Sequence, residues 1–345
     1  METLSGHLTL KEIAREAGVS LATVDRVMHD RGGVRADTSR RVREAIERHD
    51  FRPSGAAADM ARGRASKFAF VMPAGSNIFM EMIRDQVGQM SGWLSARRTT
   101  VETIATDVFN PAALAETLES LVGRYDGVAV VALDHRSVRA AVDDLVAAGT
   151  WVVTLVSDVP GSKRHHYVGI DNVAAGRTAG TLIGRFVGPR SGKIGVVAGS
   201  QSLRDHAERI FGFNQVLSLE YPRLNALNPV EGGDQDGVSE AIMARLLADH
   251  SDLIAVYNVG AGTPGVAKAI ADAGQEGRLV FVAHDLTNFT RRCLLRGVID
   301  AVIGQDPGHE ARSAIRVLLS LVRNEPILAE QEKIRIDVVM RDNMP

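Results

Sequence analysis

Beyond residue 66 the apolar positions gather into runs at spacings of about 25 to 30 residues: KFAFVM (67–72), TTVETIA (99–105), DGVAVVAL (126–133), TWVVTLV (150–156), GKIGVVAG (192–199), DLIAVY (252–257), RLVFVAH (278–284) and VIDAVIG (298–304). Rich in Val, Ile, Ala and Leu and without polar alternation, these runs predict strands covered on both faces. Amphipathic stretches such as PAALAETLESLVGRY and RSVRAAVDDLVAAG lie between them. That alternation predicts an α/β architecture with parallel sheets. The spacing leaves open one large doubly wound sheet or two smaller ones.

Before residue 66 the texture is Arg-rich and helical. In LTLKEIAREAGVSLATVDRVMHD, Thr9 and Glu12 have capping-box spacing, which starts a helix near Leu10, and Ile13, Ala14 and Ala17 share its apolar face. Gly18 permits a tight turn and Ser20 is a ready N-cap. Val24, Val27 and Met28 return apolar groups to the first helix, and ADTSRRVREAIERH supplies a third through Val42, Ala45 and Ile46. The outward side of the second helix carries Leu21, Ala22, Asp25 and Arg26. This is a helix-turn-helix pattern.

The 345 residues at 45% hydrophobic content suffice for a full core, so the chain is globular. The net charge of −2 argues against wholesale coating of nucleic acid, yet it conceals an asymmetry. Residues 1–66 hold 12 Lys and Arg against 10 Asp and Glu, and the remainder holds 28 against 32. The lone cysteine, Cys293, cannot form an internal disulfide and reads as a small buried hydrophobe in a reducing compartment. No signal-peptide pattern and no run of about 18 apolar residues is present, so a cytoplasmic protein without a membrane anchor is expected.

The segments LTLKEIAREAGVSLATVDRVMH and RADTSRRVREAIERHDFRPSGAAADMARGR together resemble the headpiece and hinge of the LacI/GalR family of bacterial repressors, from Leu8 to Arg64 without a gap. The resemblance implies a headpiece at 1–52 and a hinge at 53–66. Its second helix would lie in the major groove of double-stranded, pseudo-palindromic operator DNA. Leu21, Ala22 and Arg26 would then face base edges, while Ser20, Thr23 and Arg31 hold phosphates. Ala57 and Met60 would enter the minor groove, Met60 as the wedge where Leu is usual. Asp25 departs from the family's usual Ser, and Arg35 stands where an N-cap Ser is common; both leave the operator sequence open.

The resemblance continues, in patches, from Lys67 to about Met340 through VMPAGSNIFMEMI, YVGIDNVAAGRTAG, HAERIFGF, YNVGAGTPGVAKAI, FVAHDLT and VIGQDPGHEA. It implies a two-lobed, periplasmic-binding-protein-like domain at 67–345 with two doubly wound parallel sheets. Lobe 1 would cover about 67–170 and 304–332, and lobe 2 about 171–303 and 333–345. By position in these motifs, Asn77, Phe79, Asp134 and Asp158 from one lobe and Arg209, Asn258, Asp285 and Gln305 from the other are the expected effector ligands. Such a set suits a sugar or polyol, whose hydroxyls both donate and accept. Met80 and His284 stand where stacking aromatics are common. His135 and the basic SKRHH (162–166) add cations, which brings a sugar acid or sugar phosphate into view.

One motif competes. Gly260-Ala-Gly262-Thr-Pro-Gly265 follows a predicted strand with the G-x-G-x-x-G spacing, and Asp285 lies 20 residues beyond it. That spacing also fits a dinucleotide such as NAD(H). No nucleophile elbow or metal-ligand spacing stands out, so a sensor without catalysis, cofactor or metal is expected. The chain ends at VVMRDNMP without a heptad tail, which predicts a homodimer and not a coiled-coil tetramer.

Overall fold

The computed structural model describes residues 10–28, 33–48, 65–75 and 77–345. The chain divides into two compact units, one around the N-terminal helices and one from Ala65 onward.

In the first unit, α1 (Leu10–Glu16), α2 (Leu21–Met28) and α3 (Ala36–Arg48) enclose Ile13, Ala14, Ala17, Val24, Val27, Val42 and Ala45. These are the helical-period positions anticipated above, apart from Ile46, which is only partly buried, and Met28, whose side chain lies outside the described residues. Gly18 takes φ +62°, and the bonds Val19 N to Ala14 O (2.9 Å) and Gly18 N to Arg15 O (3.2 Å) close α1 in a Schellman cap. Ser20 Oγ accepts the Thr23 N–H at 3.2 Å and caps α2. Leu21, 44% exposed, stands with Ala22 and Arg26 on the outer face of α2, and Thr23 is half-buried beside them. Arg31, Ala57 and Met60, and the expected hinge up to Arg64, lie outside the described residues.

The second unit holds two sheets. β1 (Ser66–Pro73), β2 (Thr99–Thr106), β3 (Gly127–Val130), β4 (Trp151–Leu155) and β5 (His166–Val168) form one, all parallel, in the order β2-β1-β3-β4-β5. β6 (Gly192–Ala198), β7 (Leu224–Ala226), β8 (Val230–Glu231), β9 (Leu253–Asn258), β10 (Val280–His284), β11 (Ala301–Gly304) and β12 (Asp337–Val339) form the other. Its order is β12-β11-β10-β9-β6-β7, with β8 also on β6 and only β12 antiparallel. In each sheet the strand order reverses beside the first strand, between β1 and β3 and between β6 and β9. A crevice opens at the carboxyl ends there.

Helices α4 (Ile78–Gln89), α5 (Ser91–Ser95), α6 (Pro111–Glu119) and α7 (Arg136–Ala147) belong with the first sheet, and α8 (Asn172–Phe186), α9 (Arg204–Glu220), α10 (Asp236–Asp249), α11 (Thr263–Asp272) and α12 (Asn288–Arg296) with the second. The chain crosses to the second half after β5 and returns after β11. There α13 (Pro307–Arg323) packs Leu318 against Phe68 and Gly127. It crosses a third time after α14 (Ala329–Glu332) to form β12. That last crossing is tied down by Glu332, whose carboxylate accepts Arg316 Nε at 2.9 Å and Nη2 at 2.6 Å and a hydrogen bond from the Ser313 hydroxyl.

Two departures have local causes. β2 alternates because it is an edge strand with Thr100 and Glu102 exposed, so only one side needs apolar cover. β5, β7, β8 and β12, of two or three residues each, are too short and too mixed in polarity to register as runs.

Candidate ligand-binding site

Residues at or just past the carboxyl ends of β1, β2, β3, β4, β6, β8, β9, β10 and β11 surround a cavity. Asn77 caps α4 through its Oδ1, which accepts Phe79 N (3.1 Å) and Met80 N (3.3 Å), while its Nδ2 donates across the cleft to Asp234 Oδ2 at 3.1 Å. Arg204 N to Ser157 Oγ (3.1 Å) and Asp134 N to Ser202 O (3.2 Å) also join the halves, so the cleft is closed.

Arg209, 2% exposed, projects from α9 with Nε on Asn172 Oδ1 and Nη1 on Val259 O, both at 2.9 Å. Its Nη2 makes no hydrogen bond and lies 3.9 Å from Asp205 Oδ2. Asn172 Nδ2 donates to the Tyr167 hydroxyl (3.1 Å), and that hydroxyl donates to Val156 O (2.9 Å). A chain of hydrogen bonds thus runs from Arg209 through the first crossing to the opposite wall. Val156, Asp234 and Asp285 have φ of +63°, +58° and +65°, and all three line the cavity. A β-branched residue avoids that region, so the wall at Val156 is held by its surroundings.

Five of the eight expected residues come together here: Asn77, Phe79, Arg209, Asp285 and Gln305 line the cavity. Gln305 Nε2 donates to Asp285 Oδ1 at 3.1 Å. Asn258 sits just behind, its Nδ2 holding Gly260 O, Ala261 O and Thr263 Oγ1 at 2.9 to 3.1 Å. Two residues lie elsewhere. Asp134 pairs with Arg139 at 2.9 Å, and Asp158 accepts hydrogen bonds from Arg164 Nε and Nη2 and from Thr154 Oγ1. Neither lines the cavity, because each finds a cation within six residues on its own surface.

That pairing also corrects the expectation of cations at the ligand. Arg164 of SKRHH is spent on Asp158, His165 packs edge-on against Trp151, and His135 caps α7. His284 is buried behind the wall, sharing a 2.8 Å hydrogen bond with the Tyr257 hydroxyl, and burial with Arg209 nearby holds its pKa well below the ordinary value. Met80 does line the cavity. Sequence reasoning missed Phe109, Ser157, Asp205, His206 and Asp234, which line it too. Glu310, fully buried in the first turn of α13, has neither carboxyl oxygen hydrogen-bonded, and burial and Asp285 push its pKa well up.

Burial likewise raises the pKa of Asp285 from 3.8 to about 6, against the opposing pull of Arg209 and Gln305. A carboxyl whose folded pKa lies above its unfolded value stabilises fully below the unfolded pKa and loses that contribution as pH rises through the folded one. The window here is about pH 4 to 6, and the loss is at most about 3 kcal/mol. Asp285→Asn is therefore expected to raise the melting temperature of the unliganded protein at pH 7.5, with the gain vanishing by pH 4. Calorimetry across that range checks it; a gain independent of pH would assign the effect to something else.

The G-x-G-x-x-G segment is explained by packing. A Cβ on Gly260 would lie 2.6 Å from His206 Cε1, on Gly262 2.2 Å from Ser239 Oγ, and on Gly265 1.8 Å from Asp236 O. The Ala261 N–H is already donated to Asp234 Oδ1 at 3.0 Å, so a carboxylate occupies the place a pyrophosphate oxygen would need. This geometry counts against the dinucleotide reading.

Comparison with known proteins agrees with the two textures of the chain. Residues 9–54 match bacterial regulatory proteins of the lacI family, and residues 68–326 match the periplasmic binding protein domain. The catabolite control protein A of Streptococcus mutans is 36% identical over 76 residues, 22% of this chain and 23% of that protein. That of Priestia megaterium is 38% identical over 73 residues, 21% and 22% of the two chains. The chain thus matches less than a quarter of the length of these curated relatives. Among solved structures, GanP, a glucose-galactose binding protein from Geobacillus stearothermophilus, superposes with a TM-score of 0.74 at 21% identity, covering 82% of this chain and 99% of that one. A solute binding protein from Burkholderia graminis in complex with D-arabinose gives 0.73 at 22%, covering 81% and 96%. At these identities the likeness shows the fold. The chain belongs to the lacI family of bacterial regulatory proteins and carries the family's helix-turn-helix joined to a periplasmic binding protein domain.

Proposed function

We propose that the protein is a repressor: a homodimer in the cytoplasm that binds a pseudo-palindromic operator through its headpieces (1–52) and minor-groove hinges (53–66), with affinity set by a sugar or polyol in the cleft. The observation that carries the effector reading is the cavity wall itself. Hydrogen-bonding side chains from both halves (Asn77, Arg209, Asp285 and Gln305) converge at the two strand-order reversals, with Phe79 and Phe109 as apolar faces. Buried polar groups fix the orientation of a polyhydroxylated ring, and an aromatic covers its apolar side. With Arg164, His165 and His135 turned to other partners, the reading favours a sugar or polyol over a sugar acid or phosphate. Among the described residues no helix can span a membrane and no cluster of three metal-ligating side chains occurs, and the proposal needs neither.

Ligand contacts drawn from both walls favour the closed cleft, and closure changes the dimer geometry that presents the headpieces. DNA and ligand are then coupled by one free energy, reciprocally. The test is a thermal-shift screen of the full chain against neutral sugars, polyols, sugar acids, sugar phosphates and NAD(H). A ligand at 100 times its Kd stabilises by about 2.7 kcal/mol. Stabilisation only by NAD(H) or phosphorylated compounds would defeat the reading. On the DNA side, Arg26→Ala is expected to weaken binding to an operator selected from a randomised palindromic pool at least tenfold (~1.4 kcal/mol) and to relax the preference at one base pair per half-site. Equal loss on all sequences would make Arg26 a phosphate contact instead.

A further inference from the structure

The hydrogen-bonding inventory of the cavity is lopsided. Among its lining residues, the buried side-chain atoms without a hydrogen-bond partner are two acceptors, Asp205 Oδ1 and Gln305 Oε1, and one donor, Arg209 Nη2. A third acceptor, Asn258 Oδ1, is unpartnered directly behind the wall. The charges lean the same way. Asp205, Asp234 and Asp285 line the cavity with a single guanidinium, that of Arg209, which lies 3.9 Å from Asp205 Oδ2 and also acts on Asp285. His206 lines the cavity as well, its Nδ1 accepting the Ser200 N–H at 3.3 Å, and it acts on Asp234 against the effect of burial. Its Nε2 lies 3.6 Å from Asp205 Oδ2.

Resting on the proposed ligand cleft, we infer that the preferred effector carries a primary amine: an amino sugar or amino polyol whose ammonium sits at Asp205 while its hydroxyls meet Gln305, Asp285 and Arg209. A buried acceptor left without a donor is costly, and an ammonium brings three donors and no acceptor. It also adds positive charge to a cavity lined by three carboxyl groups and one guanidinium. A neutral sugar leaves the excess in place, and a carboxylate or phosphate adds to it in a site of low dielectric. The raised pKa values of Asp234 and Asp285, caused first by burial, fit a site awaiting a cation.

The experiment uses the full chain and matched pairs: glucose with glucosamine, galactose with galactosamine and mannose with mannosamine, each beside its N-acetyl derivative as an uncharged amide. Affinities are read by titration calorimetry at pH 7. At least one amine is expected to bind tenfold or more tighter than its neutral parent and its N-acetyl form. Asp205→Asn, whose folding is checked by its melting curve, is expected to bring that ratio close to one. Neutral sugars binding as tightly as their amines would overturn the inference and leave the sugar-cleft reading standing. An amine preference that survives Asp205→Asn would overturn the placement at Asp205. Binding by sugar acids or phosphates alone, or by none of the series, would overturn both.

Discussion

Arg209→Met is expected to remove the response to ligand, lowering affinity at least about 100-fold (~3 kcal/mol). The guanidinium supplies the cavity's unpartnered buried donor, and it is the cation beside Asp205 and Asp285. Methionine keeps much of the stem's packing but leaves those carboxylates uncompensated and strips Asn172 Oδ1 and Val259 O of their donors. The unliganded variant should therefore melt lower as well, by an amount corresponding to about 3 kcal/mol. Arg209→Lys separates the two effects. A lysine restores the charge but not the fork that holds Asn172 and Val259 together, so it should recover part of the stability and little of the affinity. Calorimetric titration and melting curves of the three proteins check this; full binding by Arg209→Met would remove the residue from the site.

Gly176→Ala should be the most damaging conservative change in the second unit. In an ordinary helix interior, Gly→Ala gains up to about 1 kcal/mol. Here the sign reverses. A Cβ at Gly176 would lie 1.9 Å from Arg209 O and 2.7 Å from Arg209 C, backbone atoms of α9 that cannot turn aside. On the facing helix a Cβ at Gly212 would lie 2.1 Å from Val173 O, so α8 and α9 cross backbone against backbone. Forcing them apart is expected to cost about 3 kcal/mol. It also displaces Arg209, so ligand affinity should fall with stability. The control is Gly88→Ala near the end of α4, where an added Cβ meets nothing within 4 Å; it should be neutral or slightly stabilising. Melting temperatures of the two variants, read side by side, decide the matter. Equal behaviour would mean the helices tolerate separation at Gly176.

How much of this was legible beforehand follows from the range over which each signal acts. The strands at 66–73, 192–198, 253–258 and 280–284 announce themselves because burial on both faces leaves no room for polar residues. The headpiece does so because a short three-helix unit must spend nearly every apolar residue on one core. The cleft was legible where a residue's position at a strand end settles its direction, as at Asp285 and Gln305. It was not legible where a competing partner decides. Nothing in DHR or SDVPGSKR says whether the carboxylate turns toward the cleft or toward an arginine five or six residues on, and Arg139 and Arg164 capture Asp134 and Asp158. Asp205 and His206 read as the polar start of an exposed helix, and Asp234 reads as a turn residue in GGDQDG. Only the meeting of distant loops brings them to one cavity. Phe109 likewise sits in a polar turn and gains its role from the opposite wall.

The central claim is that one cleft, through Arg209, governs affinity for DNA. Its most direct test is fluorescence anisotropy on a selected operator, with and without the compound that stabilises the full chain, in the wild type and in Arg209→Met. The account predicts at least a fivefold change in operator affinity on adding ligand to the wild type (~1 kcal/mol of coupling) and no change in the variant, which still binds the operator. A ligand that occupies the wild-type cleft at saturation and leaves operator affinity where it was would contradict it.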